Sequence, residues 1–457
     1  MPEANEDQKQ RWIRGVNIGG WLVLERFIVP YFFALTTCHL LGDFHFYPNQ
    51  IDAPPTDSPL YKLMDKEALS KCKPVQPYPV DEYTLTGAFS SKEIAKAYMT
   101  VHWDNFVKRD DIRKLKEAGV THIRVPLGHW IMGDIRDDEP WVDGGWPYFK
   151  RLVEWCREEE IEVWPDIHTA PGSQNGFDNS GMLLPNPTCH GWDMDNASAV
   201  DPPLSNLSGD VVLSSNVLRS LKAVDDITAA IARDNMTDTV TGFGILNEPF
   251  ANCQLDVIRT FDRQAFAIVR KNMGEHTNVY IGDTFDAKKF NDGFWTDTKY
   301  KGTFLDSHYY HVFDERPRHL SPRQHIALVC QHNRIDTESC CYEDQIKKTV
   351  PSKGISRIIG EWSASFDTLV CDKLDDVMAG IASDGIAPEF DRQISMERQA
   401  FLQSFVQAQM IVYESVEKGI SSGWFYCKCN STYRTLKYNE KTTVMLTNTH
   451  LQFFMIC

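Results

Sequence analysis

The stretch TGFGILNEPF, residues 241–250, holds an apolar run that stops at Asn247-Glu248-Pro249. A short run without polar alternation reads as a strand buried on both faces, because it leaves no side for water. Helix-length amphipathic patterns flank it, over residues 215–234 before and 254–272 after. The same rhythm extends outward in both directions. Strands are predicted at residues 12–18, 120–126, 162–168, 241–246, 278–282, 303–308, 356–360 and 420–426. Further helices are predicted at 104–118, 146–159, 322–334 and 392–418, and the connection at 287–292 is too short for a full one. Eight strands with helix-length connections predict an α/β fold, a (β/α)8 TIM barrel, over an open doubly wound sheet. Residues 27–91 break the rhythm as a long, proline-rich insertion after the first strand. A loop of that length is usually functional, and here it is expected on the C-terminal face of the strands.

Composition narrows the function. Forty-seven basic against 63 acidic side chains in 457 residues give a net charge of −16. This balance opposes nonspecific binding to nucleic acid or anionic membrane, which needs basic patches. The longest apolar stretch, from Phe27, is broken by Pro30 and is too short to span a bilayer. The start, MPEANEDQKQ, has no apolar core of a secretory signal. The twelve cysteines show no finger-like Cys/His spacing, so a structural zinc site is not expected, and their pairing stays open. Four N-glycosylation acceptors, at Asn196, Asn206, Asn235 and Asn430, are compatible with secretion. Aromatic residues reach 12%, more than a core requires, and flat rings stack on sugar faces.

In such a barrel the polar residues at the C-terminal strand ends are the candidate site. Reading those ends gives Arg124, His168, Asn247, Glu248, His308, Tyr310 and Glu361. Glu248 and Glu361 each follow an apolar run and arrive from opposite sides of the ring. Buried carboxylates are costly unless paired, so two of them need a reason. Facing glutamates across a cleft are the equipment of glycoside hydrolysis. The alternative is a structural role, with Glu361 held by Arg124 and Glu248 capping a turn before Pro249. The H-x-x-H of His308 and His311 lacks a fixed acidic ligand, and the glycine-rich stretches lack a phosphate-loop pattern. No metal and no cofactor are expected.

The motifs RGVNIGGWLVLE (14–25), HIRVPLGHW (122–130), DIHTAPGSQNGFDNSG (166–181), GFGILNEPF (242–250), DSHYYHVF (306–313) and IIGEWSAS (358–365) together resemble glycoside hydrolase family 5. More narrowly, they resemble its exo-β-1,3-glucanase branch. The resemblance runs in order from about residue 12 to residue 426. It implies a retaining mechanism with Glu248 as general acid/base and Glu361 as nucleophile. It also implies that Arg124 keeps the nucleophile ionised and that Asn247 binds the sugar 2-hydroxyl. His168, His308 and Tyr310 would floor the subsite of the scissile bond. Glu25, Asp178 and Asn179 match positions that bind the terminal glucose, and Phe177 with Phe313 matches an aromatic clamp at the entrance. Retention requires the carboxyl groups about 5–5.5 Å apart, with Glu248 protonated and Glu361 not.

The resemblance stops after Tyr426. Cys427 or Cys429 stands where the family carries a platform tryptophan, and residues 427–457 show no eighth helix. That tail reads as translated intron or shifted frame, or as the end of a truncated, impaired barrel. The expected organisation is a tail at 1–11, a barrel at 12–426 with the 27–91 insertion, and a non-family segment at 427–457. The expected partner is a β-glucan polysaccharide or oligosaccharide, with no nucleic acid and no membrane span, and the protein is expected to be a monomer. The resemblance implies an extracellular or wall-associated place. Two other functions remain open from sequence: an endo-acting or β-1,6-selective glucanase, and a glucan-binding pseudoenzyme.

Overall fold

The computed structural model describes residues 12–33, 75, 77–189, 192, 213–290, 292–293, 295, 297–313, 319–331, 355–366, 396–414 and 422–427. The tail at 1–11, most of the proline-rich insertion and residues 428–457, with the expectation of a missing eighth helix, lie outside them. So do Asn196, Asn206 and Asn430.

Eight parallel strands close on themselves in sequence order. They are β1 (Ile13–Asn17), β2 (His122–Leu127), β3 (Glu162–Ile167), β4 (Gly242–Gly244), β5 (Asn278–Gly282), β6 (Thr303–Tyr309), β7 (Ser356–Trp362) and β8 (Gly423–Cys427). Each falls within the predicted segment or within two residues of its ends. The connections carry α1 (Pro30–Phe33), α2 (Glu82–Gly87), α3 (Lys92–Phe106), α4 (Arg109–Glu117), α5 (Trp146–Glu158), α6 (Ser215–Arg233), α7 (Leu255–Met273), α8 (Pro322–Val329) and α9 (Met396–Tyr413). Among the described residues, 3-10 turns such as Ala287–Phe290 follow β5 in place of an α-helix.

One predicted helix divides. Residues 104–118 contain the end of α3 and all of α4 instead of a continuous element. Val107 is extended, and the Asp111 side chain accepts the Lys108 backbone N–H at 2.9 Å, restarting the helix there. α3 itself begins inside the stretch adjoining the insertion, capped by the Ser91 hydroxyl on Ile94 N–H.

The barrel is filled, not hollow. Ile13, Trp164, Tyr280, Ile358 and Phe425 form one buried cluster with Phe304 packed on it, drawn from six strands. A second, larger core lies between the strands and the outer helices. Because side chains alternate along a strand, inward Trp164 places Asp166 inward as well, and inward Phe304 does the same for Asp306 and His308. The last part of the insertion rides over this end of the barrel. Asp81 accepts the Leu183 N–H, Tyr83 N–H donates to Gly181 O, and Glu82 Oε2 accepts the Leu24 N–H at 2.9 Å. Residues 81–83 thus pin the loop after β1 to the loop after β3.

Candidate active site

Strict alternation along β7 would turn Glu361 away from the barrel, since Ile358 already faces in. The register between β6 and β7 slips between Ser307 and His308: Ser307 faces Ile359, and His308 faces Glu361. Gly360 is the extra residue, and this bulge rephases β7 so that Glu361 enters the site. Glycine is needed there because a Cβ at 360 would sit 2.0 Å from Asp306 Oδ1.

Glu361 is held on both oxygens. Arg124 Nη1 donates to Oε1 at 2.8 Å, and the Tyr310 hydroxyl donates to Oε2 at 2.8 Å. Burial alone would push its pKa up, but the charges of His308, Arg124 and His168 and the Tyr310 bond hold it well below the ordinary carboxylate range. Arg124 is fully buried and also donates to Asn17 Oδ1 (2.9 Å) and Asn247 Oδ1 (2.7 Å). With its oxygen taken, Asn247 is left with a buried amide nitrogen that has no partner among the described residues. An amide donor beside a carboxylate is suited to a sugar hydroxyl.

Glu248 follows β4 in a left-handed backbone conformation, φ 44°, which costs a residue of this kind about 1–3 kcal/mol and recurs at functional sites. The Asn175 side chain holds its carbonyl at 3.1 Å. His308 Nδ1 lies 2.8 Å from Glu248 Oε1, and Asn179 Nδ2 donates to Oε2 at 2.7 Å. Oxygens of Glu248 and Glu361, together with a His308 ring nitrogen, all lie within 4.8 Å of one another.

Glu25, 7% exposed, sits in the field of His168, Glu361, Asp178 and Glu248, and burial drives its pKa up to about 8. Burial likewise raises Asp178 to about 6, against the pull of Arg26. The aromatic candidates part into two groups. Phe177 makes edge contacts with Phe250 and Phe285, whereas Phe313, partly exposed, packs on Tyr310 and Phe27. Cys427, where a ring was expected, ends β8 half-buried beside Asn17 in register.

Besides Asn17 and Asn175, three more buried residues escaped the sequence reading. Asp166 Oδ2 is 2.9 Å from His168 Nδ1 and 3.3 Å from Arg124. Asp306 Oδ2 is 3.2 Å from His308 Nε2. Gln174 Nε2 donates to the carbonyls of both His168 and Asn247, at 2.9 Å each, and so locks the ends of β3 and β4 together. The two aspartates share a signal, Asp-x-His at the end of a strand, which puts both side chains on one face. A buried disulfide, Cys189–Cys253, ties the loop after β3 to the loop after β4.

A closed (β/α)8 barrel with two carboxylic acids facing each other at its C-terminal end defines an O-glycosyl hydrolase. The model of the cellulase family, glycosyl hydrolase family 5, matches residues 88–388, and the chain belongs to that family. A glucan 1,3-beta-glucosidase of Yarrowia lipolytica is 29% identical over 437 residues, covering 93% of this chain and 84% of that protein. One from Kluyveromyces lactis is 27% identical over 451 residues, covering 94% and 87%. Among solved structures, the rutinosidase from Aspergillus niger superposes with a TM-score of 0.56 at 15% identity, over 93% of this chain and 91% of that one, a likeness of fold.

Proposed function

We propose that this protein is a retaining exo-acting glucan 1,3-β-glucosidase that releases glucose from non-reducing ends. The observation that carries this reading is Glu361 kept ionised between Arg124 and Tyr310, with an oxygen within 4.8 Å of one on Glu248. Oxygens this close fall short of the roughly 6.5–9.5 Å separation of an inverting pair and so support retention. The names of the fungal relatives support the linkage.

In the first step Glu248 gives its proton to the glycosidic oxygen while Glu361 attacks the anomeric carbon, so the glucan leaves as an alcohol. In the second, Glu248 takes a proton from water, the water oxygen attacks the same carbon, and Glu361 departs as a carboxylate. The sum consumes one water and retains the β configuration. Asn247 donates to the 2-hydroxyl, a bond that strengthens as positive charge develops on the sugar. Glu25, Asp178 and Asn179 hold the terminal glucose, and Phe177 and Phe313 border the entrance. Exo action is supported by the buried turn after β1, whose Leu24 N–H is fixed by Glu82 Oε2. Residues 12–426 form the catalytic unit in this reading, and its setting is extracellular or at the cell wall.

A time course on laminarin followed by proton NMR tests the reading. Glucose appearing first as the β anomer, with no intermediate oligosaccharides, is the expected result. Early oligosaccharides indicate an endo-acting enzyme, and binding without turnover indicates a pseudoenzyme.

A further inference from the structure

The Asp-x-His pair on β6 is not accounted for by the two glutamates. His308 is buried and makes one contact with each neighbour: Nδ1 to Glu248 Oε1 at 2.8 Å and Nε2 to Asp306 Oδ2 at 3.2 Å. Glu361 Oε2 lies 3.6 Å from the same Nδ1. A carboxylate only accepts, so Asp306 requires a proton on Nε2, and the titrating position of the ring is then Nδ1, the atom that faces Glu248. The corresponding pair on β3 is differently placed, because Asp166 is shared between His168 and Arg124 at 2.9 and 3.3 Å. Arg124 stands 4.0 Å from Asp306, so the basic group nearest to Asp306 is the His308 ring, at 3.2 Å.

The fold also makes room for Asp306. Gly360 leaves out the Cβ that would strike its carboxyl, and Asp306 Oδ1 finds no partner among the described residues, so its charge is spent on the ring. A small cavity lined by Glu248, Gly282, Asp283, Phe285, Asp306 and His308 lies on this flank. The charged or titratable groups around the imidazole are therefore Glu248 beyond β4, Asp283 beyond β5, Asp306 on β6 and Glu361 on β7, with Arg124 of β2 behind Asp306.

We propose that Asp306 is a positioning residue: it fixes the Nε2–H form of His308 and keeps the ring a cation, so that Nδ1–H stays directed at the two glutamates through both steps. This rests on the assignment of Glu248 and Glu361 as the reacting pair. The direction of the electrostatics agrees. Burial opposes the charge, yet Glu361, Asp306 and Glu248 hold the His308 pKa well above the usual histidine value. Replacing the Asp306 carboxylate by an amide of the same shape removes one of these anions. The ring then loses its proton at lower pH, and activity that needs the cation is lost earlier as pH rises.

The test uses the full-length chain with nitrogen-15 histidine and the Asp306→Asn variant. Long-range proton–nitrogen spectra of the resting protein report the His308 ring directly, and kcat on an activated aryl β-glucoside is measured across the same pH range. In the wild type both ring nitrogens are expected to be protonated at pH 7. In Asp306→Asn the ring should neutralise at least one pH unit lower, the alkaline limb of kcat should move with it, and KM should change less than twofold. A His308 that is neutral at pH 7 in the wild type overturns the proposal, and that result stands even if the variant does not fold. A folded variant with an unmoved ring titration overturns it too. A wild type inactive on every β-glucoside would refute the functional reading instead, while the ring titration still decides the role of Asp306.

Discussion

Arg124 of β2 and Glu361 of β7 meet across the barrel at 2.8 Å, with the guanidinium fully out of solvent. Arg124 also organises Asn17 and Asn247, so one side chain spans the ends of β1, β2, the β4 loop and β7. Breaking a buried pair from one side leaves the other charge uncompensated, at a cost of about 3–5 kcal/mol. Arg124→Ala is therefore expected to lower the unfolding midpoint as well as activity. Arg124→Lys should fold better but lose at least about 100-fold in kcat, because a single ammonium nitrogen cannot reproduce the planar fork whose two nitrogens reach Glu361 and Asn247 separately. Denaturant melts alongside kinetics on an aryl glucoside check both.

Glu361→Ala should abolish turnover, since removing the carboxylate removes the attacking atom, and leave the fold intact, because Asp166 still faces the Arg124 charge at 3.3 Å. Circular dichroism unchanged from wild type, with laminarin hydrolysis below about a thousandth of it, is the expected outcome. Near-normal laminarin hydrolysis would sink the assignment of the nucleophile.

Stability should be greatest in mild acid. Burial raises Glu25 and Glu82 to about 8 from 4.5, so the stability they contribute is complete below pH 4.5 and is lost as pH rises through 8. Glu361 runs the other way: its contribution is present above the ordinary carboxylate range and disappears as pH falls below it. The melting temperature is expected to peak between about pH 4.5 and 6 and to fall by several degrees toward pH 8. Glu82→Gln keeps an acceptor for Leu24 N–H and should flatten the alkaline side. An unchanged slope in a pH series of thermal melts would exclude Glu82 as a source.

The barrel was legible in the sequence because its strands carry apolar or β-branched centres buried on both faces: Val279-Tyr280-Ile281 within 278–282 and Thr303-Phe304-Leu305 opening 303–308, both placed almost to the residue. The glutamates were legible because each ends such a run. Asp166 and Asp306 were not, since their importance depends on which ring nitrogen each faces. Nor does local pattern reveal that Gly360 is a bulge, because the clash it avoids is with Asp306, 54 residues earlier. The division of 104–118 was missed for a local reason, the Asp111 side chain competing for a backbone N–H.

The Cys189–Cys253 bridge closes a 64-residue separation between the two loops that carry Asn179 and Glu248. Constraint of an unfolded loop of that length corresponds to about 4 kcal/mol in the chain-entropy model. Cys253→Ser is expected to lower the melting temperature by several degrees and to raise KM more than it lowers kcat, because the loops border the cleft. Equal melting temperatures for the variant and wild type under non-reducing conditions would show that the bridge adds no stability.

Asn179 was expected at the terminal glucose, and its amide donates to Glu248 Oε2 at 2.7 Å. A donor on that oxygen orients the carboxyl toward the leaving group and steadies the anion left after proton transfer. Its loss should therefore matter in proportion to how much acid assistance the leaving group needs. Asn179→Ala is expected to cut the rate of glucosylation from laminaribiose by about 100-fold or more, where the departing alcohol is a poor leaving group. With a dinitrophenyl glucoside, which leaves without protonation, the same step should slow by no more than a few-fold. A pre-steady-state comparison of the two substrates makes the distinction, because a defect only in sugar binding would penalise both equally.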